Sequence, residues 1–215
     1  MKKILFFIFL FQTSLFAQDL EKAYFAGGCF WCMEESFEKF EGVSKVISGY
    51  SGGSTENPTY EEVTYSNTGH FETIEIIYDK NITSYNKILD HFLINIDPFD
   101  AVGQFCDKGY SYRSVAFFKD NEQRKLINKS KRKIEQKFNK KVVTYVIKFD
   151  KFYKAENYHQ DYYRKKFINY LRYKKACGRE AILKKIWKMK ILTWYFYLSF
   201  GRMSYMKQVH QPQNN

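Results

Sequence analysis

AGGCFWCMEE, residues 26–35, is the stretch around which the fold is organised. Residues 22–26 are rich in aromatic and small side chains and predict a short strand. The apolar residues after the stretch recur at helical spacing: Phe30, Met33, Phe37 and Phe40. This spacing predicts a helix that ends near Gly42. The glycines supply the turn between strand and helix, so Cys29 falls at or next to the first helical residue.

The position of Cys29 at the start of a helix affects the reactivity of its sulfur. Unpaired backbone N–H groups and the positive end of the helix dipole favour a thiolate, which is the nucleophilic form of cysteine. Phe30 and Trp31 follow directly and predict an apolar wall beside the sulfur. The alternative is a buried structural cysteine in a hydrophobic turn.

The rest of the chain predicts an α+β fold. From residue 22 to residue 149 the patterns give strand, helix, strand, strand, helix, strand, helix and strand. Ser84 is the predicted N-cap of the second helix and Asn121 that of the third. This order contains the split βαβ arrangement, and it predicts a ferredoxin-like two-layer sandwich with a mixed β-sheet. An irregular C-terminal segment with helical pieces at 158–170 and 180–187 follows.

The two ends of the chain differ from its middle. Residues 1–17 have the pattern of a signal peptide: Lys2 and Lys3, an apolar run at 4–11, and the small residue Ala17 at the expected cleavage site. The run is shorter than the ~20 residues of a membrane span, so we expect cleavage, export to a bacterial periplasm and no stable membrane insertion. We assign 18–187 to one catalytic domain and 188–215 to a tail whose role the sequence leaves open.

Charge and cysteine content narrow the class of protein. The net charge is +12, but six basic side chains and no acid lie in the two terminal segments. The other lysines cluster in 124–141 on a predicted helix, and no nucleic-acid recognition motif accompanies them. The four cysteines are widely spread in a domain large enough to build its own core, so they predict a redox-active set better than a structural scaffold.

Residues 27–38, GGCFWCMEESFE, resemble the nucleophile motif of the peptide methionine sulfoxide reductase A family. That family reduces the S epimer of methionine sulfoxide. The resemblance continues in order through five further motifs and covers residues 22 to about 187: these motifs lie at 49–53, 57–63, 69–72, 103–114 and 155–163.

Sulfoxide reduction needs a soft nucleophile, an acid and an apolar pocket for the methyl group. Glu72 is the candidate acid, because strand alternation puts it on the same face as Ile74 and Ile76. Burial would keep its carboxyl group protonated near neutral pH. An exposed, inert glutamate at a strand start is the alternative.

The resemblance implies a role for each matching residue. Cys29 would attack the sulfoxide sulfur, and Glu72 would give a proton to its oxygen. Tyr60 and Tyr112 would hydrogen-bond that oxygen. Asp107 would position water or polar groups in the pocket, and Phe30 and Trp31 would line the slot for the methyl group. For His159, packing and catalytic roles both remain open.

The sulfenic acid left on Cys29 would condense with a second thiol. Cys177 is the first candidate for this resolving thiol, and Cys32 follows closely. Cys106 would either pass the disulfide on to another cysteine or remain a thiol. Many family members carry glycine where this chain has Cys32. Recycling requires an external dithiol such as a thioredoxin-like protein, and the chain is expected to act as a monomer without cofactor or metal.

Two other classes of protein share part of the pattern. A general dithiol–disulfide oxidoreductase could use Cys29 and Cys32 in their C-x-x-C spacing, but it leaves the Glu72 and tyrosine motifs unexplained. A structural zinc site could use all four cysteines, although such sites usually have two C-x-x-C pairs and this chain has one.

Overall fold

The structure is a computed structural model, and it describes residues 18–187. The predicted signal peptide at 1–17 and the tail at 188–215 lie outside the described residues. Within the described part of the chain, no helix has the length and apolar character needed to cross a membrane.

Eight strands and seven α-helices make up the described residues. The strands are β1 (Leu20–Gly27), β2 (Val43–Ser51), β3 (Phe71–Asp79), β4 (Gly103–Gln104), β5 (Asp107–Lys108), β6 (Ser114–Phe118), β7 (Tyr145–Lys148) and β8 (Phe152–Lys154). The helices are α1 (Phe30–Glu38), α2 (Tyr60–Tyr65), α3 (Tyr85–Ile94), α4 (Asn121–Phe138), α5 (Tyr162–Lys165), α6 (Phe167–Cys177) and α7 (Arg179–Trp187). A 3-10 turn at Tyr110–Tyr112 precedes β6.

Six of the strands form one mixed sheet in the order β7-β6-β1-β3-β2-β8. β3 lies between β1 and β2 and is antiparallel to both, so β1 and β2 run in the same direction. β6 pairs antiparallel with β1 and parallel with β7. The sheet is therefore mixed and the α+β class is confirmed. β4 and β5 form a separate hairpin.

The main core lies between the sheet and the helices α1, α3 and α4. Strand alternation divides β1 between the two faces of the sheet: Phe25 joins this core, whereas Tyr24 belongs to a smaller cluster on the other face. Tyr24 stacks on Phe149 there, with ring centroids 3.7 Å apart. The long apolar side chains of β1, β3 and α1 in the main core hold the first turn of α1 against the end of the sheet.

Three local predictions need correction. Asn121 is not a cap but the first residue of α4, whose N-cap is Asp120; the Asp120 carboxylate accepts the N–H of Gln123 at 2.8 Å. The strand predicted at 142–149 is only Tyr145–Lys148. The C-terminal segment is more regular than expected, because α6 and α7 occupy most of it.

Candidate active site

The turn between β1 and α1 places Cys29 as predicted, at the N-cap of α1. Gly28 has φ +76°, a conformation that favours glycine, and a Cβ there would come within 2.5 Å of the Gln104 Cβ. A larger residue would therefore push away the β4–β5 hairpin that covers the turn. Cys29 is only 5% exposed.

Glu72 lies at the start of the same helix. Its side chain is 3% exposed, and its Oε2 accepts the N–H of Phe30 at 3.0 Å. A carboxyl group from β3 thus satisfies an N–H that would otherwise be free at the first turn of α1. The predicted burial of Glu72 is confirmed.

The environment of Glu72 suits a proton donor. Burial raises its pKa to about 8, and the neighbouring charges of Asp107 and Cys32 add to the rise, while the Phe30 N–H opposes it. The carboxyl group is therefore largely protonated at neutral pH, as general-acid chemistry requires.

One small cavity brings together the predicted site residues. Its volume is about 60 Å³, and it is lined by Cys29, Phe30, Trp31, Tyr60, Glu72, Asp107, Tyr112 and Tyr173. Seven of these eight residues were expected from the sequence. They come from β3, β5, α1, α2, the 3-10 turn and α6, so the cavity forms only when distant parts of the chain pack together.

The tyrosine hydroxyls of the cavity are neutral hydrogen-bonding groups. The hydroxyls of Tyr60 and Tyr112 both belong to the lining of the cavity, and burial raises the pKa of both phenols. Tyr60 is held in turn by its backbone N–H, which donates to Glu156 Oε1 at 2.8 Å. Two phenols of this kind can stabilise a polarised oxygen without themselves losing a proton.

Tyr173 is a cavity residue that the sequence analysis missed. It lies on α6, and its hydroxyl donates to Asp107 Oδ2 at 2.5 Å. Burial raises the pKa of Asp107, whereas the Tyr173 hydrogen bond lowers it. The only signal for Tyr173 was its place in an aromatic segment just before Cys177.

Trp31 forms one wall of the cavity and is fixed on two sides. Its Nε1 donates to His159 Nδ1 at 3.1 Å, and its ring stacks on Tyr162 with centroids 3.9 Å apart. Burial lowers the pKa of His159 to about 4, so the imidazole is neutral at physiological pH. Of the two roles left open for His159, the geometry favours positioning Trp31 over proton transfer.

Cys29 and Cys32, which we call the inner pair, are both free thiols and both buried. Burial raises the pKa of Cys29 well above its usual value, and the charges of Cys32, Glu72 and Asp107 add to this. A hydrogen bond from Cys29 lowers the pKa of Cys32 to about 7. Burial therefore opposes the effect of the helix end at Cys29, and the thiolate expected at this sulfur stays a prediction.

Cys106 and Cys177, the outer pair, are joined by a disulfide with a Cα–Cα distance of 5.0 Å. The bond connects the β4–β5 hairpin to the end of α6. Cys106 is exposed and Cys177 is partly buried. Since these sulfurs are bonded to each other, the four cysteines do not supply the four thiolates of a zinc site.

A larger cavity of about 320 Å³ lies near α1 and β2, away from the cysteines. Its carboxylates belong to Glu34, Glu38 and Asp161, whose oxygens lie within 4.8 Å of one another. Arg164 forms ion pairs with Glu38 and Asp161. No cysteine is among the residues that line this cavity, so it is a poor match to the predicted chemistry.

Comparisons with known proteins agree with this geometry. The family model described as "Peptide methionine sulfoxide reductase" matches residues 21–191. The chain is 47% identical over 173 residues to a peptide methionine sulfoxide reductase MsrA of Listeria innocua, covering 80% of this chain and 98% of that protein.

Two solved structures are similar in fold. Methionine sulfoxide reductase A of Corynebacterium diphtheriae has a TM-score of 0.62 and 26% identity, covering 68% of this chain and 74% of that one. Mxr1 from Saccharomyces cerevisiae in reduced form has a TM-score of 0.64 and 27% identity, covering 68% and 85%. The extent of the family match and the identity to the Listeria relative lead to one conclusion: this chain belongs to the peptide methionine sulfoxide reductase family.

Proposed function

We propose that this protein repairs oxidised methionine by reducing methionine S-sulfoxide, free or within proteins, to methionine. The observation that carries the proposal is the shared cavity of Cys29 and Glu72, a buried sulfur nucleophile beside a protonated carboxyl group. A general dithiol–disulfide oxidoreductase has no use for such an acid or for the two tyrosine hydroxyls.

In the first half-reaction, the sulfoxide oxygen accepts hydrogen bonds from Tyr60 and Tyr112 and a proton from Glu72. The Cys29 proton passes to the Cys32 thiolate, and the Cys29 sulfur attacks the sulfoxide sulfur. Oxygen is then transferred to Cys29, which becomes a sulfenic acid as methionine leaves. Phe30 and Trp31 hold the methyl group, and Asp107 with Tyr173 orders the polar side of the cavity.

In the second half-reaction, the Cys32 thiol displaces the oxygen of the Cys29 sulfenic acid. A disulfide forms and water leaves, so two thiols are oxidised for each methionine produced. We place Cys32 before Cys177 as the resolving cysteine, which reverses the order suggested by the sequence. The support is that Cys32 is a free thiol in the same buried cluster as Cys29, whereas Cys177 is bonded to Cys106.

Recycling requires an external dithiol that reduces the inner disulfide, and we propose a thioredoxin-like protein for this role. The protein would act as a monomer, since all cavity residues come from one chain. We also propose a ferredoxin-like core, supported by the strand order β6-β1-β3-β2 and the helices α1 and α3 that connect its strands.

We further propose that residues 1–17 direct export to a periplasm and that 18–187 form the catalytic domain. Support comes from the charge and apolar pattern of residues 1–17 and from a family match that begins at residue 21.

The test is a single-turnover assay in which reduced protein is mixed with each epimer of methionine sulfoxide. We expect the S epimer to yield one methionine for every two thiols lost, and the R epimer to serve as an unreactive control. Cys29→Ser should yield no methionine. Undiminished methionine formation by Cys29→Ser would show that the nucleophile is another group.

A further inference from the structure

Arg179 is a buried cation beside the inner pair that the mechanism above does not use. It is the first residue of α7 and is 5% exposed. Its guanidinium reaches the end of β1 and the first turns of α1: Nη1 donates to the Gly27 oxygen at 3.3 Å, and Nη2 contacts Met33 Sδ at 2.9 Å. These two residues bracket Cys29 and Cys32 in sequence.

The hydrogen-bond partners of Arg179 leave its charge uncompensated. They are the carbonyl oxygens of Gly27 and Asn95 and the Met33 thioether sulfur, all of which are neutral. The guanidinium also lies over the Phe105 ring, with its carbon 4.5 Å from the centroid. An arginine remains charged at all accessible pH values, and a buried charge is costly unless an opposite charge lies near it.

The nearby groups that can supply the opposite charge are thiols and carboxyls of the site. The charge of Arg179 lowers the pKa of Cys32 and that of Asp107. Of these two, Asp107 already shares its carboxyl group with Tyr173. Cys32 is the neighbour on α1 of Met33, whose sulfur contacts the guanidinium, so Cys32 is the natural counter-ion.

We propose that Arg179 is a positioning residue of the reductase site, whose buried guanidinium keeps one negative charge on the inner pair. The effect of Arg179 on the charge of the inner pair is independent of the proposed function, whereas its effect on catalysis rests on that function. The thiolate of Cys32 is the group that receives the Cys29 proton when substrate binds. Without the cation, both thiols would be protonated at neutral pH and the attack would begin from a weaker nucleophile.

The outer disulfide fixes both sides of this arrangement. Cys106 adjoins Phe105, whose ring lies under the guanidinium, and Cys177 is two residues before Arg179. Gly178 between them has φ +66° and forms the left-handed end of α6, so the chain turns directly into the buried arginine. The disulfide therefore holds the cation and its ring in one place.

Other ionisable groups also face the inner pair and act on the same proton. Tyr170 and Lys174 of α6 lower the pKa of Cys32, while Lys174 is itself shared with the carboxylates of Glu35 and Glu180. Glu72 and Asp107 oppose ionisation of Cys29, and Tyr173 stays neutral through burial. Arg179 differs from Lys174 because none of its hydrogen-bond acceptors is a carboxylate.

The test measures the pH at which the inner pair loses its first proton, by ultraviolet thiolate absorbance with the outer disulfide intact. Protein with both inner cysteines changed to serine gives the baseline. We expect a half-point near 7 in the unmodified protein. Arg179→Gln should raise it by about one pH unit or more, whereas Arg179→Lys, which keeps the charge, should stay close to the parent. Lys175→Gln removes an exposed charge nearby and is the matched control.

The acid limb of the pH profile of sulfoxide reduction should move with the thiolate half-point. A folded Arg179→Gln protein with an unchanged half-point would overturn the proposal, and so would an equal rise in Arg179→Lys. Should the glutamine variant not fold, Arg179→Met takes its place. If Arg179→Gln and Arg179→Met both fail to fold while Arg179→Lys folds, the positive charge is needed for stability, and this result too would overturn the proposal. Because the absorbance measurement needs no sulfoxide, its result is independent of whether the proposed function holds.

Discussion

The inner and outer cysteine pairs share one chain but have opposite surroundings. Cys29 and Cys32 are three residues apart at the start of α1, buried and free, with Glu72 and Arg179 close by. Cys106 and Cys177 are 71 residues apart, nearer to solvent and bonded to each other. The free thiols are thus the buried ones, next to ionisable side chains, whereas the sulfurs nearer to solvent are bonded to each other. In the mechanism we propose, the inner pair carries the chemistry and the outer pair holds the hairpin to α6.

Replacing one cysteine of each pair should give the largest difference between the inner and outer pairs. Cys32→Ser should form one equivalent of methionine more slowly than the parent, because the thiolate that takes the Cys29 proton is missing. It should then stop, because the Cys29 sulfenic acid lacks its neighbouring thiol. Cys177→Ser should continue to turn over with a thioredoxin-like reductant, since the inner pair is intact. Methionine formed per protein with time is the measurement, and a sulfenic-acid reagent should label Cys29 only in Cys32→Ser. Sustained turnover by Cys32→Ser with a stalled Cys177→Ser would exchange the roles of the pairs.

Removing the acid should have the next largest effect. Glu72→Gln keeps a side chain of similar shape but no proton to give, and we expect the rate of methionine formation to fall by about 10²–10⁴-fold. The inner thiols should still titrate, which separates loss of the acid from loss of the nucleophile.

The pH dependence of the same step gives a finer result. The required form of Glu72 is the protonated one, and its pKa is raised to about 8, so the rate should fall as the pH rises through 8. Glu72→Gln should lose this alkaline limb. An identical alkaline limb in the variant would assign the ionisation to another group.

The smallest effect on chemistry is expected from opening the outer disulfide. A protein with Cys106→Ser and Cys177→Ser should still form one equivalent of methionine in a single turnover. Its free energy of unfolding should fall by about 2–4 kcal/mol, because the disulfide closes a long loop. Denaturant unfolding measures the loss. Equal stability with and without the bond would show that it does not hold the hairpin to α6.

Local patterns made much of the fold predictable, and together with the family resemblance they indicated seven of the eight cavity residues. The glycine turn before Cys29, the alternation that buries Glu72 and the helix capped by Ser84 all follow from neighbouring residues. Tyr173 and Arg179 could not be found this way, since their roles arise only when α6 and α7 fold back over α1.

The surroundings of the inner pair could not be predicted for a related reason. Helix position can be read from the sequence, but burial of Cys29 among carboxyl groups is a property of the assembled site. Similarly, the sequence did not reveal that Cys106 pairs with Cys177, because the two lie on separate segments brought together by packing.

The most direct measurement is disulfide mapping by mass spectrometry after one turnover with less than one equivalent of methionine S-sulfoxide. The account predicts a new bond between Cys29 and Cys32 while the bond between Cys106 and Cys177 persists. A first bond from Cys29 to Cys177 or to Cys106 would contradict it.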